Sequence, residues 1–178
     1  MSWISRAVIV FAVFFTLLPL ARAGDSDWQV LSRLLAGSPA LGDSGAFTPG
    51  EGQPVVVTFF ASWCPPCTDE FAHLNKIAAN PEFADAQIVG VNVFEDFGGV
   101  KDPERMVAFL ERTDPRFDLV TGSPDIRAAF GNVTRIPTVV VYGRSGREVW
   151  RFIHVKDAEK THANETDLVD ALKRAQSQ

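Results

Sequence analysis

Two cysteines, three histidines and two methionines are all that this 178-residue chain has of those types, and the scarcity closes off several readings. Structural zinc needs four ligands. The chain has no second cysteine pair, and His73, His154 and His162 do not fall at finger-like spacing. Covalent c-type haem needs a His directly after the second Cys, and that position is Thr68. No metal or other cofactor is expected. Positive charge is sparse as well: Lys+Arg 17 against Asp+Glu 22 gives net -5, with no basic block able to follow a phosphate backbone, so nucleic acid is not an expected partner. There is no internal repeat. With 46% hydrophobic residues the chain can bury one core and is short for two domains.

Long apolar runs are absent but for one. Residues 7–20, AVIVFAVFFTLLPL, follow Arg6 and lead into "ARA" before Gly24, small residues where a signal peptidase cuts. Residues 1–23 therefore read as an export signal. The alternative is a retained inner-membrane anchor facing the periplasm, against which stands the length of the run, shorter than the roughly 18 to 20 residues of a spanning helix. No Cys follows it, which excludes a lipoprotein anchor. Cleavage removes Arg6 and Arg22 and takes the net charge from -5 to -7, as expected of a soluble, monomeric acidic domain. Export also places the cysteines where disulfides form and persist.

What is present alternates between helix and strand patterns. Residues 27–37 carry Trp28, Leu31, Leu34 and Leu35 at helical spacing, with an acidic start and a Gly stop. Residues 38–53 are rich in Gly, Pro and Ser and read as a loop with a short strand around Ala46 and Phe47. Residues 54–61, PVVVTFFA, have the unbroken apolar character of a strand covered on both faces. A helical pattern follows to about Ala79, then a second buried strand over 87–94 and a helix over 102–113 with Pro103 at its first position. "FDLV" is a short strand, 123–131 a short helix, and 138–154 a β-hairpin around "RSGR". The last helix, 164–176, opens on the capping residue Asn164. This order predicts an α/β fold, a central mixed sheet flanked by helices on both faces, with residues 24–52 leading into a domain over 53–178.

Both cysteines lie in "TFFASWCPPCTDEF", where strand gives way to helix. A disulfide closing four residues stabilises by only about 1.9 kcal/mol in the chain-entropy estimate, against about 3 for fifteen, so it is a poor staple. A dithiol that cycles through its disulfide is the better reading. The first helical turn has unpartnered N–H groups and a dipole that favour a thiolate, which makes Cys64 the nucleophile and Cys67, one turn in, the resolving thiol. Pro65 and Pro66 suit a helix start but remove two donors beside Cys64, leaving mainly the Cys67 N–H; the Cys64 thiol is expected to be only moderately acidic.

On the following helix, Cys67, Phe71, Leu74 and Ala78 share a face that Ile77 extends, and Glu70 falls between Cys67 and Ile77. Buried there, its carboxyl would hold its proton more tightly and could take one from Cys67. The alternative is an ordinary first-turn acid favoured by the dipole.

"VVVTFFASWCPPC" followed seventy residues later by "RIPTVVVYGRSGREV" resembles the thioredoxin-like superfamily, and within it the exported TlpA/ResA-type thiol-disulfide oxidoreductases, over roughly residue 53 to the C-terminus. The resemblance implies a cis Pro137 lying against the cysteine pair, with Trp63, Ile136, Pro137 and Thr138 receiving the substrate. It also implies that residues 94–120 form the strand-helix insertion of that subgroup. Thr58 stands where thioredoxin has a buried Asp, and the role of that Asp would pass to Glu70. By the same resemblance the protein is a periplasmic reductant of exported protein disulfides, such as those of apocytochrome c, re-reduced by a membrane-embedded thiol electron donor. The alternatives are a disulfide-forming oxidant and a periplasmic module carrying copper on the same thiolates, since soft thiolates suit Cu(I). "NVT" and "NET" match a glycosylation pattern that is idle in a bacterial host, "GDSGAF" lacks the partners of a serine protease, and His154 reads as packed or exposed rather than a ligand.

Overall fold

The computed structural model describes residues 27–99 and 102–178; the expected export signal lies outside them. Five strands form one mixed sheet in the order β3-β2-β1-β4-β5. β1 (Val55–Phe60) pairs in parallel with β2 (Gln87–Asn92), which pairs in parallel with β3 (Asp118–Thr121). β4 (Thr138–Tyr142) runs antiparallel to β1, and β5 (Glu148–Ile153) returns beside it as the expected hairpin. β1 is central and every one of its residues is buried, which is why it reads as a continuous apolar run instead of an alternating one.

Successive β1 side chains point to opposite faces, and Phe59 and Phe60 show what lies on each. Phe59 meets Phe130 at 5.2 Å, just past α4 (Pro124–Ala129), and Phe130 meets Tyr142. The same layer holds α1 (Asp27–Ala36), whose Trp28 lies 5.5 Å from Tyr142. Phe60 meets Phe71 of α2 (Pro65–Ala78) at 4.8 Å and Phe109 of α3 (Pro103–Thr113) at 5.3 Å. α5 (Glu165–Gln176) packs beside α2 and closes that layer. It opens on a full capping box: the Asn164 side chain accepts the Asp167 N–H while the Asp167 carboxylate accepts the Asn164 N–H.

The structure departs from the sequence reading in four places. No strand forms at Ala46 and Phe47; Phe47 is buried edge-on to Trp28 at 6.3 Å, so its apolarity anchors a loop. Leu34 is 40% exposed, because the face that α1 buries is that of Trp28, Leu31, Ser32 and Leu35. Ala78, in the last turn of α2, is exposed. β2 ends at Asn92 instead of position 94, because Phe94 takes a left-handed φ of 61° that no strand can continue through. The loop before β1 has a structural role of its own: Leu41 N–H donates to Leu119 O and Thr121 N–H to Pro39 O, so this segment covers the outer edge of β3.

Candidate active site

β1 delivers the chain through Ala61, Ser62 and Trp63 to Cys64, which caps α2 with extended backbone (φ -93°, ψ 105°). Pro65 and Pro66 occupy the first two helical positions, where fixed φ helps and a missing N–H matters least. Cys64 and Cys67 are joined in a disulfide, their Cα atoms 5.3 Å apart. With both prolines silent, the Cys67 N–H is the peptide donor that reaches the Cys64 sulfur, at 3.3 Å. Cys67 is completely buried, whereas Cys64 keeps 3% of its surface and faces an open groove of about 360 Å³ lined by Trp63, Pro65, Thr68, Asp69 and Arg112. The sulfur a partner can reach is therefore that of Cys64. A larger cavity, about 790 Å³ between the 41–45 loop and residues 107–119, contains neither sulfur.

Glu70 is fully buried on the inward face of α2, together with Cys67, Phe71, Leu74 and Ile77. It is not the exposed first-turn acid of the alternative reading. Its Oε1 accepts the Thr58 hydroxyl at 2.6 Å, and its Oε2 accepts the Ala163 N–H at 3.2 Å. Burial pushes its pKa up to about 7, the largest effect, against the opposing pull of those two donors. A carboxyl so poised, one helical turn beyond Cys67, is ionised and protonated in comparable amounts near neutral pH.

The Ile136–Pro137 peptide is cis. The antiparallel register sets Thr138 opposite Phe59, which brings Pro137 to the end of β1 from which the chain runs on to Cys64. Ile136, Pro137 and Thr138 are all buried, and the Thr138 hydroxyl donates to Arg135 O at 2.8 Å, tying the turn to itself. Trp63 is half-buried at the mouth: its Nε1 donates to Phe94 O at 2.7 Å, and its ring stacks on Phe97 at 5.1 Å. His154 is half-buried, its Nδ1 3.0 Å from Thr161 O, in keeping with packing.

Three contributors are not among the residues picked out from the sequence. Glu95 accepts the Ser62 N–H at 2.6 Å, the Ser62 hydroxyl at 2.7 Å and Asn92 Nδ2 at 2.6 Å, so one carboxylate fixes the loop before Cys64. Arg112 comes from α3 to the rim of the groove, its Nη2 3.5 Å from the Thr68 hydroxyl. Phe97 is 69% exposed beside Trp63. All three follow β2 in the chain, more than thirty residues from the loop or helix they meet, and only the sheet brings them together.

A model of the AhpC/TSA family matches residues 44–147. The thioredoxin-like protein YneN of Bacillus subtilis is 30% identical over 64% of this chain; the match spans 63% of that protein, less than two thirds of its length. A thiol:disulfide interchange protein DsbE homolog of Paracoccus denitrificans is 31% identical over 75% of this chain and 68% of its own. Among solved structures, a secreted Mycobacterium tuberculosis disulfide oxidoreductase homologous to E. coli DsbE superposes with a TM-score of 0.54 at 22% identity, covering 70% of this chain and 83% of its own.

Proposed function

The chain belongs to the AhpC/TSA family of thioredoxin-like proteins, and we propose that it acts there as an exported thiol-disulfide oxidoreductase of the DsbE type, reducing protein disulfides through Cys64 and Cys67. The observation that carries this is the disulfide at the head of α2, with one sulfur facing a groove and the other sealed behind it. The likeness to a thiol:disulfide interchange protein of the DsbE type supports exchange chemistry, and the apolar run over residues 7–20 supports export to the periplasm.

In the reduced protein the Cys64 thiolate attacks one sulfur of a client disulfide. The client S–S bond breaks, a mixed disulfide forms, and the other client sulfur leaves as a thiolate that takes up a proton. Cys67 then yields its proton to the Glu70 carboxylate and attacks the Cys64 sulfur; the mixed disulfide breaks, the second client sulfur leaves as a thiolate that takes up a proton, and Glu70 gives its own proton back to solvent. Two electrons have passed to the client, and Cys64 and Cys67 are left joined as the structure shows them. A dithiol from a membrane-embedded donor then returns the electrons by the same exchange. Trp63 lines the groove at Cys64, the buried Ile136, Pro137 and Thr138 would meet the client through their backbone at the same end of β1, and an exported apocytochrome c is a client of the right chemistry.

Insulin reduction in the presence of an external dithiol tests this. The wild type reduces insulin, Cys64→Ser abolishes the activity, and Cys67→Ala accumulates a mixed disulfide detectable by mass. Copper binding without any reductase activity would overturn the proposal in favour of a metal carrier. A pair with the reduction potential of a strong oxidant would reverse the direction of electron flow.

A further inference from the structure

Thr58 lies in the middle of β1, fully buried, opposite Gly90 on one side and Val139 on the other. Three valines precede it in the same strand, so packing alone would be met by a fourth. A hydroxyl in that position is unfavourable unless it is hydrogen-bonded, and its partner is Glu70 Oε1 at 2.6 Å. Strand alternation puts Thr58 on the same face as Phe60, which meets α2, so the hydroxyl enters the α2 side of the core.

The two groups that hold Glu70 differ in what they can do. The Ala163 N–H on Oε2 can only donate, and it keeps that oxygen an acceptor in both protonation states. The Thr58 hydroxyl can reverse: it donates to the carboxylate and accepts from the acid. A proton arriving on Glu70 therefore settles on Oε1, the oxygen whose neighbour can turn to receive it. The other ionisable groups on α2 are Cys67, Asp69, His73 and Lys76, with His162 just before α5 and Glu165 at its start; Asp69, Lys76 and Glu165 are exposed, and Glu70 itself is shifted by burial, Thr58 and Ala163. His73 is held below its ordinary pKa, first by burial and then by His162 and Lys76, against the opposing pull of Glu165 and Asp69.

We propose that Thr58 is a positioning residue for the resolving step: its hydroxyl selects the Glu70 oxygen that takes the Cys67 proton and sets how tightly that proton is held. This rests on the oxidoreductase reading above. The test is Thr58→Val, which keeps the shape and deletes the hydroxyl, beside Thr58→Ser, which restores it, and Thr58→Ala as a second deletion. Two quantities are read: the titration of the Glu70 carbonyl band in the infrared, assigned by its loss in Glu70→Gln, and the pH profile of mixed-disulfide resolution in a single turnover.

Loss of a donor to the carboxylate favours the acid, so Val and Ala should each raise the infrared midpoint by about one pH unit, a tenfold change in proton affinity. Ser should stay near the wild type, and the midpoint of the resolving step should move with the band. Cys64 attack, measured in a Cys67→Ala background, should not shift. A band midpoint indifferent to Val and Ala, or displaced as far by Ser, would overturn the assignment of Thr58. If the band shifts as expected while the wild type shows no thiol-disulfide exchange, the positioning of the Glu70 proton stands and the oxidoreductase reading falls.

Discussion

Replacing Glu70 by Gln should make the oxidised protein more stable, and the gain should exist only at higher pH. The folded-state pKa of Glu70 stands at about 7 against 4.5 for the free side chain. Below about pH 4.5 the carboxyl is protonated whether the chain is folded or not, and its titration contributes nothing. As the pH climbs from there to 7, the unfolded chain sheds the proton while the folded chain keeps it, so stability falls. Above 7 the whole difference is felt. At about 1.4 kcal/mol per unit it comes to about 3 kcal/mol. A Gln side chain has no such linkage, and it can still accept from Ala163 N–H while donating to the Thr58 hydroxyl. All other groups titrate alike in the two proteins and cancel in the comparison. Urea unfolding of both proteins with the disulfide intact should therefore give nearly equal stabilities at pH 4.5 and a Gln advantage of about 3 kcal/mol at pH 8, or about 6 to 12 °C in Tm. An advantage of the same size at both pH values would refute the reasoning, because it would come from packing or hydrogen bonding and not from the carboxyl's ionisation.

Two other perturbations probe separate parts of the molecule. Phe97→Ala removes a ring that is 69% exposed, so stability should change by less than about 0.5 kcal/mol, while KM for a protein disulfide should rise about three- to tenfold at unchanged kcat; an unchanged KM would deny the ring a docking role. Gly122→Ala would set a methyl 2.8 Å from Asn92 O and 2.7 Å from Val93 Cγ1; backbone that pairs through Gly122 N–H to the same Asn92 oxygen at 2.8 Å cannot easily retreat, so a loss of about 1–3 kcal/mol is expected by urea unfolding.

The parts of the fold that could be read from the chain are those where local chemistry and burial agree. β1 is apolar at every position but Thr58 because both faces are covered, and α5 carries its start signal in Asn164. The cysteine pair was legible because Pro65, Pro66 and the apolar run before them mark a strand end and a helix start. Phe47 and Phe94 were misread for one shared reason: an aromatic residue bordering a strand pattern looks the same whether it continues the strand, anchors a loop or turns left-handed. Glu70 stayed ambiguous because a small rotation of α2 would have taken it to the surface; the Thr58 hydroxyl and the Ala163 N–H, 12 and 93 residues away, mark the side it faces. Glu95 gave no local signal. Its partner Ser62 is 33 residues earlier, and only the parallel pairing of β1 with β2 makes them neighbours.

The twin prolines at the head of α2 have one last effect. By silencing their own amides they hand the steadying of the outer sulfur to the residue whose own sulfur, in the proposed cycle, displaces the captured partner. Capture and release thus meet at one residue, so a change in the backbone at Cys67 is felt by both sulfurs, whereas a change around Glu70 is felt by the inner one alone.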